Sequence, residues 1–159
     1  MEVRDIILGI DPDIEKSGIA IGDLNNGETI LTNWTLYHLF CYLEENKGRI
    51  IKVYVEQGEL NKKANFHRVL KQQRPGLTGN QLMGIAEATA AKVGMNFAVA
   101  RLILETCEIL KVPAQGVRPV MSKMDAPTFQ KYFGLKGKNQ EQRDAFVMIA
   151  GRYKHSKQI

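Results

Sequence analysis

The stretch from Asp5 to Gly27 reads DIILGIDPDIEKSGIAIGDLNNG, and its reading decides the fold. Asp5 to Asp11 is a near-continuous apolar run, the pattern of a strand buried on both faces. Pro12 follows and ends it, since proline has no N–H to give to a ladder. Lys16-Ser17-Gly18 makes a turn. Ser17 to Asp23 then alternates Ile19 and Ile21 with small or polar residues, which predicts a second strand. Asn25-Asn26-Gly27 suits a tight hairpin turn, and Glu28 to Trp34 supplies the third strand. The chain therefore opens on three consecutive antiparallel strands.

Downstream the period changes. Leu36 to Lys47 spaces Leu36, Leu39, Phe40 and Leu43 as a helix does, with Gly48 as the expected C-cap. Ile50 to Glu56 is a fourth strand, which a crossover helix makes parallel to its neighbour. Residues 58–84 read as an extended basic loop in which only Phe66 to Gln73 looks helical. Ile85 to Leu110 is a long helix with an expected break near Gly94. It is apolar on two faces, Phe97, Ala100, Leu104 and Cys107 on one and Met95, Val99, Leu102 and Ile109 on the other. Such a helix is either central to the core or shared with a second subunit. Ala114 to Val120 is a fifth strand, Pro127 to Phe133 one or two helical turns, and Asn139 to Tyr153 a last helix opened by an Asn139/Gln142 capping pair. The prediction is one α/β domain over 1–159, a mixed five-stranded sheet with helices on both faces.

A chain of 159 residues and 17.9 kDa can build a core without staples. Its 25% charged and 44% apolar composition argues against disorder. The longest apolar runs, such as Ile6 to Ile10, fall far short of the ~20 residues of a membrane span. Glu2, Arg4 and Asp5 before a short apolar run do not make a signal peptide. Cys41 and Cys107 are too few and too far apart for a disulfide framework or zinc knuckle, and read as reduced thiols. The expectation is a cytoplasmic protein of a bacterium or a phage-infected cell. Net charge is +5 with a pI near 9.2. Lys62, Lys63, Arg68, Lys71 and Arg74 fall in a stretch with no acid, and Arg118 and Lys123 in one whose only acid is Asp125. That imbalance favours a polyanion partner over a merely solvated face.

Two apolar strands end in a carboxylate, Asp11 after Ile-Leu-Gly-Ile and Glu56 after Val-Tyr-Val. An acid there is costly to desolvate without a partner. If the first and fourth strands are parallel neighbours, both acids meet at one sheet edge. Glu141 and Asp144, spaced i and i+3, share one side of the last helix. The bland reading is that Asp11 and Glu56 mark the return to solvent and that Glu141 and Asp144 complement the helix dipole. If the four converge, they need a counter-charge, and all-oxygen ligands select Mg²⁺ or Mn²⁺. Two such ions suit phosphodiester hydrolysis, with Asp11, on the central strand, bridging them.

These residues in this order resemble the RNase H-like nuclease superfamily and, within it, RuvC-type Holliday-junction resolvases. The matching segments are Gly9-Ile10-Asp11-Pro12 with Ser17-Gly18-Ile19-Ala20, Val55-Glu56-Gln57, and Glu141-Gln142-Arg143-Asp144-Ala145. The resemblance covers essentially the whole chain. It implies a metal-dependent endonuclease that nicks four-way DNA junctions in pairs as a homodimer, with catalysis and metal binding assigned to Asp11, Glu56, Glu141 and Asp144. It also implies that an aromatic in the loop after Glu56 stacks at the junction centre, for which Phe66 is the candidate. Phe66 otherwise opens a short amphipathic helix with Val69 and Leu70. The family pattern more often has Asp, or a His-containing pair, where this chain has Glu141 and Asp144, and its loop after Glu56 is shorter.

Lys62, Lys63, Arg68, Lys71, Arg74, Arg118 and Lys123 are the expected phosphate contacts. Three other readings remain open. The same chemistry would serve an RNA–DNA hybrid or a flap, the basic loop alone would serve a non-catalytic DNA-binding protein, and Gly9-Ile10-Asp11 with its hairpin also resembles the start of actin-like ATPases. The last fold needs two lobes, for which the chain is too short.

Overall fold

The computed structural model describes residues 4–61, 76–120 and 122–151. Strands β1 (Ile6–Asp11), β2 (Ser17–Asp23), β3 (Thr29–Trp34), β4 (Ile50–Glu56) and β5 (Ala114–Val117) form one sheet in the order β3-β2-β1-β4-β5. The first three pair antiparallel, while β4 runs parallel to both β1 and β5. Four helices complete the described chain: α1 (Leu36–Asn46), α2 (Gly79–Ile109), α3 (Ala126–Phe133) and α4 (Gln140–Ala150). A single 3-10 turn covers Gly58–Leu60. This is the expected mixed five-stranded α/β sheet, three antiparallel strands followed by two parallel ones.

Alternation along the strands divides the core in two. Leu8, Ile10, Ile19, Ile21, Val53 and Val55 face α1 and α2, where they meet Leu39, Leu43, Ile103 and Cys107. Ile7 and Ala20 face α3 and α4, where they meet Phe129, Ala145, Phe146 and Ile149. Helices thus cover both faces, and β1 is buried from both sides. Trp34 packs on the first core, its ring centroid 4.9 Å from that of Tyr42. Arg49 holds Asp5, buried at the start of β1, through Nε (3.0 Å) and Nη2 (2.6 Å). No helix among the described residues is long and apolar enough to cross a membrane.

The structure corrects several expectations. Helix α2 begins six residues before Ile85, because Thr78 and Gln81 form a reciprocal capping box. It runs unbroken through Gly94, since one glycine costs a helix only ~1 kcal/mol relative to alanine. Its two apolar faces are not equivalent. Val99 joins Ala100, Ile103 and Cys107 in the core, whereas Met95, Leu102 and Ile109 are exposed. Gly48 is not a left-handed cap. Helix α1 ends on Lys47 in the right-handed region, and Arg49 N–H donates to the Asn46 carbonyl. Strand β5 stops at Val117, short of Pro119, which cannot donate to a ladder. The last helix spans Gln140–Ala150 with Gly151 as its C-cap, and Tyr153 lies outside the described residues.

Two glycines set how closely α4 lies on the sheet. A Cβ on Gly9 would fall 2.0 Å from the Ala145 carbonyl oxygen, and one on Gly18 would fall 2.3 Å from the Glu141 carbonyl carbon. Both obstacles are backbone, so the helix itself must move. We predict that Gly9→Ala destabilises the fold by about 3 kcal/mol or more, lowering Tm by ~6–12 °C. Gly94→Ala, in open helical space, should instead raise stability by ~0.5–1 kcal/mol. Thermal unfolding of the two variants checks both.

Candidate active site

The last pair of the parallel ladder between β1 and β4 is Ile10↔Val55. Asp11 and Glu56 are the next residues on each strand, so both leave the sheet at one end. Helix α4 crosses that end. Asn139 is its N-cap, with Oδ1 accepting from the Gln142 N–H at 3.0 Å. The first turn then carries Glu141, and Asp144 follows at the start of the next. Asp11, Glu56 and Glu141 line a single cavity of about 430 Å³, together with Lys123, Asp13, Asn96 and Phe97. Asp144 sits behind them, buried, with Gln140 Nε2 donating to its Oδ1 at 2.6 Å and Lys123 Nζ to its Oδ2 at 2.5 Å.

The charges respond to this gathering. Burial, then repulsion from Glu56, raises the Asp11 carboxyl to about 8; Asp144 and Glu141 push it the same way, and only Lys123 opposes. Burial and the charge of Asp144 also raise Glu56, again against Lys123. Burial disfavours the Lys123 ammonium, but its bond to Asp144 and the charges of Asp144, Asp11 and Glu56 outweigh this and raise its pKa. Lys123 is therefore the counter-charge of the cluster rather than an isolated surface base.

Other polar groups brace the site. Arg143, buried on α4, donates to the Met124 carbonyl through Nε (3.0 Å), to the Gly137 carbonyl through Nη1 (3.0 Å) and to Gln140 Oε1 through Nη2 (2.9 Å). It thus ties the segment beside Lys123 to the helix that carries Asp144. Asn96 of α2 accepts from the Ile14 N–H at 3.2 Å and anchors the turn after Asp11. Asn33 of β3 accepts from both Asn139 and Gln142. Sequence reading missed these residues. A polar amide on the inward face of β3 was a usable signal for Asn33. Arg143 does point away from the acids, as helical geometry requires, but nothing in the sequence indicates the carbonyls it finds.

Of the expected nucleic-acid contacts, Lys62, Lys63, Phe66, Arg68, Lys71 and Arg74 lie outside the described residues. Arg118 is exposed just past β5, and Lys123 is half-exposed at the cavity. Among the described residues no three His, Cys, Asp or Glu side chains stand together as a ready metal site. The chemistry of the donor set nevertheless fits a hard divalent cation. It is all carboxylate, it is partly desolvated, and among the described residues Lys123 is the ammonium ion that offsets its charge.

Comparison with solved structures returns RuvC of T. thermophilus in complex with a Holliday junction substrate, at 15% identity and a TM-score of 0.47, over 91% of this chain and 89% of that one. A second Thermus thermophilus RuvC structure matches at 14% identity and a TM-score of 0.43, over 89% of each chain. No protein-family model and no curated protein matches the chain.

The raised Asp11 carboxyl has a signed consequence. The folded protein holds its proton at pH values where the unfolded chain has released it. Stability from this group is complete below the ordinary aspartate range and is lost as pH climbs towards about 8. In EDTA, Asp11→Asn should therefore raise Tm at pH 8 by about 5 °C or more and flatten the fall in Tm between pH 5 and 8. Melting curves across that range check it; an unchanged Tm at pH 8 would contradict the electrostatics described.

Proposed function

We propose that the protein is a metal-dependent, structure-selective endonuclease that resolves four-way DNA junctions by paired phosphodiester hydrolysis. The observation that carries the reading is the convergence of acids from β1, β4 and α4 on one cavity, with Asp11 held protonated to about pH 8. A cluster this costly to ionise is of little use to the fold. It suits a site that exchanges protons and an ammonium ion for divalent cations. Asp11, Glu56, Glu141 and Asp144 would hold Mg²⁺ or Mn²⁺. When bound, such ions lower the pKa of a water and offset charge on the phosphate and the leaving oxygen.

The remaining groups bind and orient. Asp11 would lose its proton as the cluster gains positive charge, and Glu56 would be relieved of the repulsion that raises it. Lys123, displaced from Asp144, would turn its ammonium to the backbone phosphate entering the cavity. Lys62, Lys63, Arg68, Lys71, Arg74 and Arg118 would neutralise flanking phosphates, and Phe66 would stack on bases opened at the junction. Paired nicks require two sites in fixed relation, hence a homodimer. The exposed Met95, Leu102 and Ile109 of α2 offer apolar surface for a second copy.

The purified chain should nick a mobile four-way junction in Mg²⁺ and not in EDTA. Asp11→Asn should slow nicking by about 10³-fold or more while leaving junction affinity within about threefold. Cutting by this variant at the parental rate would overturn the mechanism. Junction binding without nicking by the unmutated protein would favour a non-catalytic role. Competition with linear duplex, RNA–DNA hybrid and flap substrates tests the junction itself.

A further inference from the structure

The sheet places three residues in one row. Asp11 of β1 pairs with Gly18 of β2, and Gly18 pairs with Asn33 of β3. Partners across a sheet share a face, so all three sit beneath the first turn of α4. Gly18 and Asn33 meet different parts of that turn. Gly18 leaves room for the Glu141 backbone, as its phantom Cβ shows. Asn33 Oδ1 accepts from Asn139 Nδ2 at 2.9 Å and from Gln142 Nε2 at 2.7 Å. The two donors flank Glu141 in sequence.

Gln142 is 4% exposed, and its other amide atom is also committed, with Oε1 accepting from the Lys138 N–H at 2.9 Å. Asn139 likewise spends its Oδ1 on the helix cap. The three amides thus form one connected network, with Asn33 Oδ1 as its shared acceptor. Gly18 fixes how near α4 lies, but a smooth backbone contact does not fix how far the helix rolls about its axis. Two directional bonds to one strand atom do.

We infer that Asn33 is a positioning residue for cation binding. It sets the roll of α4, and so holds the Glu141 and Asp144 carboxylates on the side facing Asp11 and Glu56. This rests on the metal-dependent reading above, and it extends the site to the edge strand, two strands away from Asp11.

The test is calorimetric titration of Mn²⁺ into the full chain without DNA, with Tm recorded alongside. Asn33→Ala leaves two donors without an acceptor and should weaken Mn²⁺ binding about 10-fold, as loss of groups that orient metal ligands does. Asn33→Asp keeps an acceptor oxygen and should stay within about twofold of the parent. Gln142→Met removes one of the two bonds to Asn33, together with the bond from the Lys138 N–H, at similar volume and should weaken binding about threefold; it decides the matter if Asn33→Ala does not fold. Parental Mn²⁺ affinity in Asn33→Ala or Gln142→Met, whatever their Tm, would overturn the inference alone. So would an Asn33→Asp variant as weak as Asn33→Ala. Absence of Mn²⁺ uptake by the unmutated protein would overturn the metal-dependent reading together with it.

Discussion

A carboxylate at the end of a strand buried on both sides is the constraint around which the rest of the molecule is arranged. β1 is central, and helices on either face bury Ile10 fully and leave Asp11, at the strand end, open only to the cavity side. The parallel neighbour brings Glu56 to the same end, and α4 adds Glu141 and Asp144. Each arrival makes ionisation of Asp11 harder. Desolvation of like charges is unfavourable unless something positive joins them, and Lys123 supplies only one charge. The fold therefore keeps Asp11 protonated well above the ordinary aspartate range.

Holding the acids in a usable geometry falls to α4. Gly9 and Gly18 let its backbone approach more closely than any side chain would permit. Phe146 and Ile149 then seat it against Ile7 and Ala20. Arg143 gathers the Met124 and Gly137 carbonyls around the same turn, so the segments before and after α3 are fixed to the helix that bears Asp144. Packing sets distance and hydrogen bonds set direction. The acids inherit both from neighbours that need not touch a substrate.

Much of this was legible in the chain itself. The apolar run before Asp11, the small-residue alternation of Ser17 to Asp23 and the hairpin at Asn25-Asn26-Gly27 dictate strands whose ends the structure matches within a residue. The parallel placement of β4 follows from its crossover helix, and with it the meeting of Asp11 and Glu56. Legibility stopped where tertiary contacts choose between local options. Thr78 and Gln81 extend α2 into a segment that looks like loop because glycines dominate it. Val99 and Met95 look equally apolar, and only the position of the sheet decides which is buried. Lys123 reads as one surface base among several until Asp144 is placed 2.5 Å from it. Asn33 reads only as a polar amide within a strand, and its partners on α4 follow once β3 is registered against β2.

The most direct measurement is the titration of the Asp11 carboxyl carbon by NMR in selectively labelled protein, first in EDTA and then in Mg²⁺. The account predicts a midpoint near 8 without cations, falling below about 5 once Mg²⁺ is present. A midpoint near 4 that ignores Mg²⁺ would mean that Asp11 is an ordinary solvated carboxylate, and the gathered-acid site would have no physical basis.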